Sequence, residues 1–110
     1  MSEFHWLPGG SVTAAPGFKA SGVTAGLKKS GNPDMALVFS ETPANFAGVF
    51  TSCTFAAAPV QVCRQRVLHS ARAQAFIINS GNANACTGQK GLDNAEAMCR
   101  LTAAALGIAP

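Results

Sequence analysis

One continuous unit, an apolar run followed by a polar loop and a helical pattern, constrains the fold of this chain more than any other feature. Residues 75–78, Ala-Phe-Ile-Ile, are uninterrupted apolar sequence that predicts a strand over residues 72–80 with cover on both faces. The next stretch, INSGNANACTGQKG at residues 78–91, is rich in Asn and Gly and predicts a loop. The order of strand, loop and helix favours an α/β class of fold.

The helical pattern after the loop has recognisable limits. Asp93 and Glu96 have the spacing of a capping box, whereas Gly107 is a natural helix stop with Pro110 just beyond it. Five apolar residues fall on one stripe of this helix, which is therefore expected to be buried: Leu92, Ala95, Cys99, Ala103 and Leu106.

The first half of the chain predicts further strands and a second helix. Its extended segments are an arm with turns at residues 7–22, a β-hairpin whose turn is residues 30–34 and whose second strand is residues 35–41, and a third strand candidate at residues 46–52. Pro59 suits the first turn of a helix toward His69, because its missing N–H costs nothing there. We expect a mixed α/β (α+β) fold in which residues 1–110 are an incomplete domain, since a further strand is expected after the last helix.

Composition limits the class of protein. Apolar residues make up 48% of the chain and charged residues 12%, against a usual charged share of about 25%, so part of the surface is expected to lie against another chain or further sequence. The formal charge of +3 comes without a basic run, which argues against a nucleic-acid partner. No signal peptide opens the chain and no apolar run is long enough to cross a bilayer, so we expect a cytoplasmic protein with no membrane partner.

The four cysteines are Cys53, Cys63, Cys86 and Cys99, and none of them belongs to a C-x-x-C pair. Their spacing fits neither a zinc ribbon nor a thioredoxin-like motif, and we expect no metal site. In a cytoplasmic protein the thiols stay reduced, and we expect each to be a small buried apolar residue.

No complete catalytic apparatus can be assembled from these residues. Ser80 fails the G-x-S-x-G elbow because residue 78 is Ile. A pair of Cys86 with His69 is conceivable, but a buried inert thiol is the favoured interpretation. Residues 79–91 either present backbone N–H groups to an anion or use Asn side chains to hold turns of the backbone, and the second interpretation is favoured.

The sequence NSGNANACTG at residues 79–88, with residues 9–41, 47–64 and 91–98 around it, carries a family resemblance over nearly the whole chain. In order and spacing these blocks resemble the ornithine acetyltransferase family, also called glutamate N-acetyltransferase, of arginine biosynthesis. The residues similar to the family signature are Asn79, Ser80, Gly81, Asn82, Asn84, Cys86, Thr87 and Gly88. The resemblance implies a layered fold with sheets between helices.

The resemblance also implies an acetyl transfer from N2-acetylornithine to glutamate, and some members use acetyl-CoA to acetylate glutamate. In the family the precursor cuts itself before a threonine, which becomes the first residue of a second chain and the nucleophile, with its own amine as the base. An acetyl-enzyme forms, and an oxyanion hole stabilises the tetrahedral intermediates. No metal or bound cofactor is implied, and acetyl-CoA would enter only as a substrate.

No catalytic residue of the family can be carried over to this chain. The nucleophile lies in an Ala-Thr-Met-Leu-like segment and the oxyanion hole in a Ser-Thr-Gly-like segment, and neither occurs here. We therefore expect the N-terminal part of the α segment, inactive alone, whose partners in a hetero-oligomer are the remainder of the α segment and the β chain.

The loop itself is expected to be a connector between strand and helix, in which Asn79, Asn82 and Asn84 mainly satisfy backbone groups. Two alternatives to the acetyltransferase stay open. One is a related self-processing amidase, and the other is a non-enzymatic α/β binding module that holds an anionic ligand with residues 79–91.

Overall fold

The computed structural model describes residues 3–110, and they form three strands and two helices. The elements follow in the order β1 (Phe18–Val23), β2 (Met35–Asn45), α1 (Ala58–His69), β3 (Arg72–Asn79) and α2 (Gly88–Leu106). The strands form one antiparallel sheet in the order β1-β2-β3. The mixed α/β class expected from the sequence is confirmed.

The expected β-hairpin forms as the β1–β2 pair, but its first strand lies mostly inside the segment expected to be an arm, and its connection is longer than the expected turn at residues 30–34. Val23 lies opposite Met35 at the end near the turn, and Phe18 lies opposite Ser40 at the far end. The connecting residues 24–34 are longer than a two-residue turn, and the Asp34 N–H donates to Val23 O at 3.1 Å to close them. This long connection leaves room for a side chain to organise the loop from within.

A bulge at residues 40–43 interrupts β2 where its register against β3 shifts. Inside the bulge Ser40 is buried, and its hydroxyl donates to Thr42 O at 2.6 Å. Pro43 lies in the bulge because it has no N–H to give to a regular ladder. Pairing then resumes, and Asn45 at the end of β2 lies opposite the first residue of β3.

Residues 46–52 were expected to be a third strand, and this prediction is wrong because they form none. The end of β2 is already paired with the start of β3, so the residues that follow Asn45 leave the sheet. Phe46 makes one further backbone bond, from its N–H to Ala71 O at 3.3 Å, and Val49 is fully exposed. The segment crosses from the sheet to α1 as irregular chain.

The helix expected after Pro59 is confirmed as α1, with the proline in its first turn. The helix expected after the loop is confirmed as α2, but the capping box is wrong because the N-cap is Thr87. Asp93 lies inside the helix, where it accepts from Gln89 Nε2 at 2.8 Å. Gly107 ends α2 in the left-handed region at φ 67°, as expected.

The core lies between the two helices and is made of small side chains. Ala58 and Val62 of α1 pack with Ala95 of α2, and Leu92 and Cys99 pack against this cluster. Ala103 is also buried, so the expected stripe of α2 does face the interior, although Leu92, Cys99 and Leu106 are only half-buried.

One face of β3 is open, which corrects the expectation of cover on both faces. Phe76 and Ile78 are 54% and 51% exposed, whereas Ala75 and Ile77 between them are half-buried. Successive side chains of a strand point to opposite faces, so the exposed pair belongs to one face of the sheet. α2 contacts β3, but residues 3–110 leave about half of the surface of Phe76 and Ile78 uncovered.

Candidate functional site

The signature loop, residues 79–88, joins the end of β3 to the start of α2 and also reaches the start of α1. The Ala58 N–H, in the first turn of α1, donates to Asn84 O at 3.2 Å. The first N–H groups of a helix have no partner within the helix, so a carbonyl from outside satisfies one of them here. Both helices therefore begin beside the same loop.

Asparagine side chains hold the loop by bonding to its backbone. Asn79 Nδ2 donates to Asn82 O at 3.1 Å, and Asn84 Nδ2 donates to Gly91 O at 2.7 Å in the first turn of α2. The Thr87 hydroxyl donates in turn to Asn84 Oδ1. Asn79 and Asn84 thus satisfy backbone groups as expected, whereas Asn82 contributes its backbone carbonyl.

The small residue at Gly91 makes this network possible. Gly91 is buried, and a Cβ on it would overlap Thr87 Oγ1 and Asn84 Oδ1, the two atoms that bond to each other. The Gly91 carbonyl accepts from Asn84 at the same point. The glycine is therefore required by close approach of side chains, since a helical φ alone would accept any residue.

Three residues of the loop have a positive φ: Gly81, Cys86 and Gly88. Gly81, at φ 91°, would place a Cβ 2.6 Å from Lys28 Cγ, so the β1–β2 connection packs directly under it. Cys86 adopts φ 54°, which is uncommon for a residue with a side chain and costs about 1 kcal/mol or more. The loop holds Cys86 in this conformation between the bonded residues Asn84 and Thr87.

Asp34 supports the loop from the neighbouring hairpin, a role that the sequence analysis above does not predict. It is only 3% exposed, and its carboxylate accepts from the backbone N–H groups of Ala25 at 2.7 Å, Leu27 at 2.6 Å and Lys28 at 2.9 Å. The N–H groups of Lys28 and Ala25 hold the pKa of Asp34 below its usual value of 3.8, against the opposing effect of burial. Its backbone carbonyl accepts from Ser80 N at 2.8 Å.

The sequence does contain a signal for this role. Asp34 ends the turn Ser-Gly-Asn-Pro-Asp and directly precedes a strand, and Asp side chains in turns commonly bond to nearby backbone N–H groups. What the sequence does not show is that the same residue reaches Ser80, because that contact depends on the pairing of β2 with β3.

A cavity of about 210 Å³ opens where the two helices begin. Its wall includes Ala58 and Gln61 of α1, Leu92 of α2, and Cys86 and Thr87 of the loop. No histidine, lysine or carboxylate lines it, and among the described residues the thiol of Cys86 is the one ionisable group in its wall. The cavity can hold a small group, and its wall contains no pair of ionisable side chains for acid–base work.

The structure corrects the expectations for the thiols and does not bring Cys86 and His69 together. His69 lies in the last turn of α1, where its Nδ1 is 2.7 Å from Gln65 O, whereas Cys86 lies beside the first turn. A helix of 12 residues separates these ends by roughly 16 Å. All four cysteines are free thiols, but the prediction that they are buried is wrong, because Cys99 is half-buried and the other three are exposed: Cys53, Cys63 and Cys86.

Among residues 3–110 no group of three or more His, Cys, Asp or Glu side chains is arranged to hold a metal ion. In the same residues, no helix has the length and apolar character needed to cross a membrane. The exposed loop residue Ser80 donates its N–H to Asp34 O and is not part of the cavity wall.

A family model described as the ArgJ family matches residues 19–110. Among curated relatives, the arginine biosynthesis bifunctional protein ArgJ of Thermosynechococcus vestitus is 51% identical over 110 residues, which are 100% of this chain and 26% of that protein. The protein of the same description from Mycobacterium leprae is 50% identical over 107 residues, which are 96% of this chain and 26% of that protein. The chain thus spans about a quarter of the length of these relatives.

Two solved structures have the same fold over almost all of the chain. The arginine biosynthesis bifunctional protein ArgJ of Bacillus halodurans superposes with a TM-score of 0.88 at 41% identity, covering 94% of this chain and 53% of that one. The ornithine acetyltransferase of Mycobacterium tuberculosis complexed with ornithine superposes with a TM-score of 0.84 at 50% identity, covering 92% of this chain and 52% of that one.

Proposed function

Since the chain belongs to the ArgJ family, we propose that it is the N-terminal part of an arginine-biosynthesis acetyltransferase that moves the acetyl group of N2-acetylornithine to glutamate. The observation that carries this proposal is the 51% identity to an ArgJ protein along all 110 residues, the signature loop included. The ornithine bound to the similar M. tuberculosis enzyme supports the substrate class, because ornithine is the product of the first half-reaction.

We assign the acetyl-transfer chemistry to parts of the enzyme other than residues 1–110. The threonine nucleophile that the family resemblance implies is not in this chain, and no histidine, lysine or carboxylate lines the cavity where the two helices begin. We propose no catalytic residue within residues 1–110, and the proposed reaction needs no cofactor or metal. Acetyl-CoA is proposed only as a second acetyl donor for glutamate.

The role of the signature loop in this enzyme is to fix the starts of α1 and α2. Its Asn79 and Asn84 side chains bond to the backbone, and the Asn84 carbonyl bonds to the first turn of α1. A connector with its polar groups used internally positions the surrounding elements and does not need to touch the substrate.

The remainder of the α segment and the β chain are the proposed partners, in a cytoplasmic hetero-oligomer. The open face of β3 supports this arrangement, because Phe76 and Ile78 expose about half of their surface to water in the chain by itself. Adjacent exposed apolar side chains of this size mark a surface that another part of a protein covers. The 12% share of charged residues supports it too.

The alternative of an anion-binding module is less well supported by the loop geometry. Two N–H groups that could face an anion are already bonded within the chain, from Ser80 to Asp34 O at 2.8 Å and from Gly91 to Thr87 O at 3.4 Å. Such a module would be a folded monomer when residues 1–110 are purified alone, whereas the acetyltransferase proposal predicts aggregation or partial unfolding.

The test is the reaction of the enzyme expressed from the complete reading frame. With N2-acetylornithine and glutamate, we expect ornithine and N-acetylglutamate in equal amounts, and self-cleavage into two chains. Replacing the threonine that begins the second chain with alanine should abolish both, and residues 1–110 alone should be inactive. Ornithine and acetate without N-acetylglutamate would indicate an amidase, and a folded, cleaved enzyme with no transfer would overturn the proposal.

A further inference from the structure

A short segment between β2 and α1, residues 51–56, is tied to α1 at both of its ends, and we call it the strap. Arg64 Nη2 donates to Thr51 O at 2.6 Å, and Gln61 Nε2 donates to Ala56 O at 2.8 Å. Gln61 and Arg64 lie three residues apart on α1, so they are neighbours on its surface. One side of α1 therefore holds the two ends of the strap.

The chain directly before the strap is fixed against α1. The Arg64 guanidinium lies over the Phe50 ring, 5.8 Å from the centre of the ring. Gly48 packs so closely on the same ring that a Cβ on it would lie 2.9 Å from Phe50 Cζ, and 3.5 Å from Val67 Cγ2 of α1. A movement of the strap would therefore begin at Thr51 and leave Phe50 in place.

Between its ends the strap has little to hold it. Among residues 3–110, no hydrogen bond between two backbone groups involves residues 51–56. The Cys53 N–H donates within the strap, to Thr51 Oγ1 at 3.1 Å, and residues 51–55 are all exposed. A segment with exposed backbone groups and few buried apolar contacts changes conformation at a low cost in free energy. The middle of the strap can thus move while its ends stay bound.

The strap borders the cavity where α1 and α2 begin. Thr54, Phe55 and Ala56 form part of the wall of this cavity, which also includes the apolar residues Ala58 and Leu92. Phe55 is nevertheless 79% exposed. A large apolar side chain that leaves water for an apolar surface lowers the free energy of the protein. An inward rotation of Phe55 would achieve this, because it would place the ring against the other apolar residues of the wall.

We propose that the strap is a flap that closes over this cavity, with Phe55 as its cover and with Thr51 and Ala56 as its hinges. In the open form, which the structure shows, Phe55 lies in water and Cys86 in the cavity wall is exposed. In the closed form Phe55 covers the cavity, and reagents in water no longer reach Cys86. The bonds from Arg64 and Gln61 persist in both forms. This inference stands whether or not the proposed acetyl transfer is correct.

Alkylation of Cys86 in the full-length protein measures how often the cavity is open. The folded protein is treated with iodoacetamide, samples are denatured at successive times, and the thiols that have not reacted are alkylated with isotopically heavy iodoacetamide. Trypsin then releases residues 73–90, in which Cys86 is the only cysteine. The ratio of light to heavy label on this peptide gives the alkylation rate of Cys86 separately from every other thiol.

Removing the cover should raise this rate. We expect Phe55→Ala to be alkylated at Cys86 about threefold faster than the native protein, which corresponds to a cavity that Phe55 closes for about two-thirds of the time. Phe55→Leu keeps a large apolar side chain and should remain closer to the native rate. Val49→Ala is the matched control, because Val49 lies in the same connection and is fully exposed but does not line the cavity, so its rate should equal that of the native protein.

Amide hydrogen exchange of the full-length protein supplies a second measurement. The amides of residues 51–56 should exchange much faster than those of α1, because they lack backbone partners. Four results would each overturn the proposal: an equal Cys86 rate in Phe55→Ala and the native protein, a rise of the same size in Val49→Ala, a Cys86 thiol that reacts in no variant, or strong protection of residues 51–56, which would show that another part of the enzyme holds the strap.

Discussion

Replacing Gly91 with alanine tests the network that holds the signature loop to α2. The new methyl group would overlap Thr87 Oγ1 and Asn84 Oδ1, so both side chains must move. Their movement breaks the bond from Thr87 to Asn84 and the 2.7 Å bond from Asn84 Nδ2 to Gly91 O. The substitution thus acts on the loop through one buried contact.

The expected change in the free energy of unfolding is the sum of favourable and unfavourable contributions. In an open position of a helix, alanine in place of glycine stabilises by about 1 kcal/mol. Two lost hydrogen bonds cost about 1 kcal/mol each, and forcing a methyl group into occupied space costs about 1–3 kcal/mol. The unfavourable contributions win, and we expect Gly91→Ala to lower the free energy of unfolding by about 2–4 kcal/mol.

The assay is urea unfolding of the full-length protein followed by circular dichroism. Gly107→Ala is the control, because nothing lies within 4 Å of the added atom there and only the positive φ opposes it, at about 1 kcal/mol. In the double variant Thr87→Ala with Gly91→Ala, part of the clash is gone, so its loss should be smaller than the sum of the single losses. Equal or greater stability of Gly91→Ala, or strict additivity in the double variant, would refute the reasoning.

Three further predictions concern other contacts of the chain. Asp34→Asn should destabilise the protein at neutral pH. Since the pKa of Asp34 in the folded state lies below 3.8, the stability that the carboxylate supplies is present above that value and is lost as the pH falls through the folded pKa. The difference between the native and variant urea midpoints should therefore shrink in acid, and a difference that grows in acid would contradict the assignment. Arg66→Ala should cost no more than about 1 kcal/mol, because the ion pair to Glu96 is roughly half exposed, and a double-mutant cycle with Glu96→Ala that gives much more would show a different role. In the complete enzyme Asn82→Ala should leave the melting temperature and self-cleavage nearly unchanged, because Asn82 contributes only its backbone carbonyl. Asn84→Ala should lower the melting temperature and self-cleavage before it changes KM, because it removes the side-chain bond to Gly91 O. A large rise in KM for either variant at an unchanged melting temperature would show that the loop binds substrate.

Local signals in the sequence were enough to predict most of the elements. The proline at the start of α1, the glycine at the end of α2 and the apolar run of β3 act through backbone geometry over a few residues, and each of these predictions is confirmed. The prediction of a strand at residues 46–52 is wrong although their composition suits a strand. The reason is that β2 continues through its bulge and its last residues already pair with the start of β3. Strand pairing depends on distant residues that a local pattern does not contain.

The start of α2 shows a second limit. Asp93 and Glu96 have the spacing of a capping box, yet both lie inside α2. The carboxylate of Asp93 accepts from Gln89 of the same helix, and that of Glu96 accepts from Arg66 of α1. The helix begins earlier because Asn84, Thr87 and Gly91 meet around its first turn, a contact among side chains that the sequence alone does not reveal. The bond from the Ser80 N–H to Asp34 O is likewise absent from any local pattern, because it forms only when β2 pairs with β3.

The bond from Ser80 to Asp34 has a consequence for the order of folding. It joins residues that are far apart along the chain, and it can form only after β2 has paired with β3, which is a slow step because it closes a long stretch of intervening chain. α2 can gain helical turns quickly by itself, but the loop before it acquires its final shape late. Hydrogen exchange at the Ser80 N–H should therefore report whether β2 and β3 are paired and residues 79–88 have reached their final shape.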